Sequence, residues 1–111
     1  MKQFMADITL PEVITQDFIS LIPLHRLQVG ILLKSGRLTN YGLSLDRSKL
    51  WAIFIGNSEE EVHNIINIFP LRKYMDVRLY ELAFHEHPQL LFPIQSLNSS
   101  YRIKSCFSLF R

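Results

Sequence analysis

Hydrophobic and polar residues alternate from the start of the chain. Phe4, Ala6, Ile8 and Leu10 fall on one side and Met5, Asp7 and Thr9 on the other, the period-two pattern of a half-buried strand. Thr15 with Asp17 then offers a helix start for a segment reaching about Lys34, and Gly36 closes it. Within that segment Pro23 lacks an N–H and crowds the carbonyl of Ile19, which predicts a kink there, or else a helix beginning near Ser20. Leu24, Leu27 and Ile31, with Gln28, are expected on one face. Val29, Leu32 and Leu33 widen the apolar surface, so this helix is expected to touch more than its own sheet.

Residues 38–46 alternate again, with Tyr41, Leu43 and Leu45 opposite Asn40, Gly42 and Ser44, and residues 46–49 have the polar character of a hairpin turn. The run LWAIFI, residues 50–55, fits a strand covered on both faces. Ser58 can cap a second helix, Glu61 can reach back to the cap, and Val62, Ile65, Ile66 and Phe69 form its apolar stripe before Pro70 stops it. A basic turn over 71–74 leads into a fourth strand over 75–84, through Val77, Leu79 and Tyr80.

The order strand, helix, strand, strand, helix, strand is the ferredoxin-like βαββαβ pattern, an α+β fold with an antiparallel sheet and both helices on one face. Strands one and three carry apolar residues on both sides, so the free sheet face is expected to pack against a second subunit. Beyond Glu86 the character changes: His87-Pro88 and Phe92-Pro93 break regular structure, and Asn98-Ser99-Ser100 is a turn or linker. Alternation over 101–109 then predicts a short extra strand, suited to a neighbour's sheet edge. The expected organisation is one α+β domain over 1–88 and a C-terminal extension over 89–111 that packs on the partner subunit.

Composition narrows the functional classes. With 48% hydrophobic and 20% charged residues, 111 residues suffice for one domain with a real core. The 12 basic and 10 acidic residues are spread along the chain, which argues against a phosphate-tracking stripe and so against nucleic-acid binding. No apolar run approaches the ~20 residues of a membrane span. The single cysteine and an N-terminus without a signal-like run point to a reduced, cytoplasmic setting.

The stretch from Ser58 to Val77 carries a resemblance. Ser58, Val62-His63, Pro70-Leu71, Tyr74, Met75, Asp76 and Val77 stand where the muconolactone isomerase family has a serine cap, a leucine-histidine pair, Pro-Leu-x-x-Tyr-Met-Asp and a hydrophobic residue. Leu10-Pro11 and the spacing from Gly36 to Phe54 agree as well, so residues 4–88 resemble that family of small bacterial proteins. The resemblance implies a dimeric α+β barrel, often assembled into rings, and a cofactor-free proton shift in an unsaturated lactone of aromatic-compound breakdown. Such chemistry needs a group to take a proton from carbon beside a carbonyl, another to return it, and something to hold the enolate charge.

The chain departs from the family on its first helix, where acidic residues are replaced by Leu24, His25, Arg26 and Leu27, and no Asp or Glu occurs from Phe18 through Leu45. His25 falls about where a family carboxylate would sit, and its imidazole can exchange protons at neutral pH; it is the candidate catalytic residue, against a structural role as a surface or hydrogen-bonded side chain. Arg26 and Arg37 offer paired donors to a carboxylate-bearing ligand, although solvated helix-end charges explain them equally well. Tyr41 and Ser44 could line a pocket with their hydroxyls, packing being the commoner fate of such a tyrosine. His63 reads as a helix face or subunit contact, and Tyr74-Met75-Asp76 as residues that fix a connection and an interface. His85, Glu86 and His87 lack an evident third ligand and the common direction that zinc needs, so no metal and no cofactor is expected. Two functions remain open: an isomerase-like enzyme acting on a small acidic or carbonyl ligand, and a non-catalytic dimeric binding or assembly module on the same fold.

Overall fold

The structure, a computed structural model, describes residues 1–86. Its elements are β1 (Lys2–Thr9), α1 (Gln16–Ser35), β2 (Leu38–Leu43), β3 (Lys49–Gly56), α2 (Glu59–Asn67), a 3-10 turn (Arg72–Tyr74) and β4 (Asp76–Leu82). The four strands form one antiparallel sheet in the order β2-β3-β1-β4, the ferredoxin-like α+β arrangement. The expected strand over 101–109 and the extension over 89–111 lie outside the described residues.

Local chemistry sets the element ends. The Thr15 hydroxyl accepts a hydrogen bond from the Phe18 N–H at 3.2 Å, opening α1, and Gly36 closes it at φ 80°, a conformation that glycine adopts without a Cβ clash. Ser58 caps α2 by accepting from the Glu61 N–H at 3.2 Å. The Glu61 carboxylate reaches one residue further back than a capping box requires, accepting from the Asn57 N–H at 2.9 Å. α1 runs through Pro23 as one helix from Gln16, so a start near Ser20 is not what forms.

Alternate residues of the strands build a two-sided sheet. Phe4, Ala6 and Ile8 of β1 stand opposite Phe54, Ala52 and Leu50 of β3, and this face is buried with Phe18, Val29 and Leu32 of α1 and Val62 and Ile66 of α2. The stripe expected on α1 is therefore displaced. Leu24, Leu27 and Ile31 are exposed (57%, 63% and 54%), while Phe18, His25, Val29 and Leu32 face the sheet. These buried residues follow at i, i+7, i+11 and i+14, one continuous side of a 3.6-residue helix.

The other sheet face carries no helix of the described chain. By register Met5, Ile53, Ile55, Trp51 and Tyr80 share it, with Trp51 41% and Tyr80 53% exposed. Among the described residues β3 is thus covered on one face only, where its apolar run predicts cover on both. Asp7 and Lys49 pair at 3.2 Å at one end of the open face. Asn40 of the edge strand β2 shares that face by register, and its Oδ1 lies 2.9 Å from His85 Nε2. After β4, at the opposite edge of the sheet, the chain therefore turns back across it toward β2.

Candidate functional site

A cavity of about 310 Å³ opens between the first half of α1 and the β2–β3 end of the sheet. α1 supplies Phe18, Ile22, His25 and Arg26, because the inward side that seats Val29 and Leu32 on the sheet also turns His25 toward it. The hairpin supplies Tyr41, Leu43, Arg47 and Leu50, and the connection after α2 supplies Leu71 and Met75. Among the described residues no aspartate or glutamate lines it. Its walls are apolar with a few convergent polar groups, the usual make-up of a small-molecule site.

The polar centre of the cavity is a pair. His25 is 4% exposed, the one buried polar side chain among the described residues, and its Nε2 lies 2.8 Å from Tyr41 Oη. The imidazole ring packs against Phe69 at 4.9 Å between centroids. Nδ1 is buried without a hydrogen-bond partner among the described residues. Burial disfavours the imidazolium and pushes the His25 pKa down to about 4, and it raises the Tyr41 phenol above its ordinary range. Both groups are therefore neutral at pH 7, and which nitrogen of His25 holds the proton is set by the bond to Tyr41.

The five residues proposed from the sequence separate into two groups. His25, Arg26 and Tyr41 come together around the cavity. Arg37 and Ser44 do not line it. The Arg37 guanidinium is held at 2.7 Å by Glu61, tying the end of α1 to α2, and Ser44 braces the hairpin turn by donating to Asp46 Oδ1 at 2.7 Å. His63 stands 3.6 Å from Glu59 one helical turn away, outside the cavity. Among the described residues no group of three His, Cys, Asp or Glu side chains is placed to hold a metal ion. Nor is any helix there long and apolar enough to cross a membrane.

Sequence reasoning passed over Arg47, Leu71 and Met75 as site residues. Arg47 lies in a segment legible only as a polar turn. Met75, expected to fix a connection, also closes the floor of the cavity, for which its buried side chain beside Leu71 is the physical reason.

The fold and site together define a ferredoxin-like α+β domain with a ligand-sized cavity between its first helix and its sheet. Among solved structures the chain is similar to 5-chloro-2-hydroxyhydroquinone dehydrochlorinase from Burkholderia phenoliruptrix AC1100 in complex with 2,5-dihydroxybenzoquinone. That likeness has a TM-score of 0.63 and 15% identity, covering 78% of this chain and 99% of that one. It is also similar to muconolactone isomerase, with a TM-score of 0.61 and 20% identity over 81% of this chain and 95% of that one. The chain has the muconolactone isomerase-like fold. No family model and no curated protein matches it.

Proposed function

We propose that this chain binds a small oxygenated ring compound, acidic or carbonyl-bearing, in the cavity under α1 and moves a proton on it without a cofactor, an isomerase-type reaction. The observation that carries this is the neutral, enclosed His25–Tyr41 pair set into an otherwise apolar wall. With Nε2 unprotonated, Tyr41 can take a proton from carbon beside a carbonyl as its own proton passes to His25. The C–H bond breaks, an enolate forms, and the reverse transfer to another carbon completes the shift. The buried imidazolium is unfavourable alone, and the enolate beside it offsets that. The names of the two similar structures accord with ligands of this size: one holds 2,5-dihydroxybenzoquinone and the other isomerises a lactone.

The test is exchange of solvent deuterium into a panel of unsaturated lactones and hydroxylated quinones. Exchange that disappears in both His25→Ala and Tyr41→Phe is the expected result, and a panel in which no compound exchanges refutes catalysis. Binding without turnover is the second reading, favoured by the absence of any carboxylate from the lining. Ligand-dependent thermal stabilisation without exchange would establish it in place of the first.

We also infer that the open sheet face seats a second copy of the chain. Met5, Trp51, Ile53, Ile55 and Tyr80 make one continuous apolar surface there, flanked by the Asp7–Lys49 pair. The 89–111 extension is proposed to pack at this interface; in support, the last described residues reach that face, where His85 Nε2 lies 2.9 Å from Asn40 Oδ1.

A further inference from the structure

Arg26 and Arg47 line the cavity from different elements, α1 and the β2–β3 turn. Four other cations of the described chain are committed: Arg37 to Glu61, Lys49 to Asp7, Lys2 to Glu81 and Arg72 to Asn67 and the Met75 carbonyl; Lys34, Lys73 and Arg78 do not line the cavity. Arg26 and Arg47 have no carboxylate partner among the described residues, and the cavity they line contains no acid. Two exposed arginines that line one apolar cavity, with no carboxylate among the lining residues, suit an anion supplied by the ligand.

The turn adds an independent observation. Arg47 has φ 65°, the one non-glycine residue at positive φ among the described residues. A side chain in this left-handed conformation crowds its own backbone, and glycine or asparagine is the ordinary occupant. The surrounding turn is built to hold it. Asp46 Oδ1 accepts from the Ser48 N–H at 3.0 Å and from the hydroxyls of Ser44 and Ser48 at 2.7 Å each, while the Arg47 N–H donates to the Ser44 carbonyl at 2.9 Å. Asp46 Oδ1 is thereby turned to three donors of the turn, and no ion pair joins Asp46 to Arg47. Strain kept at a residue that also lines a cavity points to a use for its side chain.

We propose that Arg47, presented by this strained turn, and Arg26 form the anion-binding end of the cavity. They hold a carboxylate of the ligand while its ring lies along the apolar wall against Tyr41. The proposal rests on the reading that the cavity binds a small ring compound and narrows that ligand to a carboxylic acid; it does not depend on proton transfer.

The probes are benzoate and its neutral counterpart benzamide, titrated into the full-length protein and followed by amide chemical shifts. Wild-type protein is expected to bind benzoate at least tenfold more tightly than benzamide, with the preference shrinking as salt is raised. Arg47→Gly suits the turn's backbone and is expected to keep or raise the melting temperature while losing about tenfold in benzoate affinity and nothing in benzamide affinity. Arg47→Asn serves as a second backbone-compatible variant, and Arg26→Gln is expected to lower benzoate affinity in the same way. Equal affinity for the two probes, unchanged benzoate affinity in Arg47→Gly and Arg47→Asn, or no binding of benzoate would each overturn the proposal. If benzamide binds equally well, the anion site fails and the cavity reading survives. If benzoate binds with the expected charge dependence but no compound exchanges deuterium, catalysis fails and the anion site stands.

Discussion

Replacing His25 by glutamine should flatten the pH dependence of stability between pH 7 and pH 5. In the folded chain burial holds the His25 pKa near 4, against 6.5 for the ordinary side chain. The unfolded chain then binds a proton that the folded chain does not, and stability falls as pH drops below 6.5 and levels off below 4. Each tenfold in proton affinity is worth about 1.4 kcal/mol, so the full effect is about 3 kcal/mol, of which about 2 kcal/mol is lost by pH 5. For a domain of this size the loss lowers the urea midpoint by roughly 1–2 M.

The groups that face His25 do not produce this slope. Tyr41, across the 2.8 Å contact, keeps its proton throughout the range, and Phe69 has none to give. Asp46 and Glu61 have lowered pKa values, from hydrogen bonds to Ser48 and to the Asn57 N–H respectively. Their stabilisation is lost only as pH falls below the ordinary carboxylate range, so it lies under the window measured. Urea unfolding at fixed protein concentration, followed by the fluorescence of Trp51, the single tryptophan, gives the midpoint at each pH. His25→Gln is expected to be less stable at pH 7, because the ring contact with Phe69 is lost, yet nearly level down to pH 5. Parallel slopes for the two proteins would refute a buried neutral imidazole at position 25.

Two further predictions concern packing. A Cβ at Gly56 would stand 2.9 Å from Val62 Cγ2, and Val62 is wholly buried, so Gly56→Ala should cost about 1–3 kcal/mol and a melting temperature that does not fall would contradict the close approach of β3 and α2. If the open sheet face seats a second copy, Trp51→Glu puts a charge in that contact and should convert dimer to monomer in light scattering; a wild-type protein that is already monomeric refutes the interface.

The fold was legible because its signals are short-range. Thr15, Gly36 and Ser58 announce helix ends through backbone groups within four residues, and alternation in β1 and β2 fixes which side chains share a face before any partner strand is known. The inward side of α1 was not legible in this way. Leucine, isoleucine and valine occur nearly all round it, so the contrast that orients an amphipathic helix is weak, and the sheet selects Phe18, His25, Val29 and Leu32 over Leu24, Leu27 and Ile31. α2 is the control. Its polar residues are confined to one side, and Val62, Ile66 and Phe69 are buried where the pattern predicts.

The same physics explains which site residues could be foreseen. Side-chain chemistry marked His25, Arg26 and Tyr41 as capable, but their convergence needs the inward rotation of α1 that the sheet imposes. Arg37 was equally capable and is taken by Glu61, a contact 24 residues away in sequence that no local pattern announces. Arg47 carried a signal only in its backbone, a φ value that sequence does not display. This asymmetry bears on function. A carboxylate on α1 would carry its own negative charge into the cavity, whereas His25 enters neutral and Arg26 and Arg47 leave the site short of an anion. On the proposed reading the charge that organises the site arrives with the ligand, and an acidic ligand would raise the proton affinity of the imidazole in the proposed proton transfer.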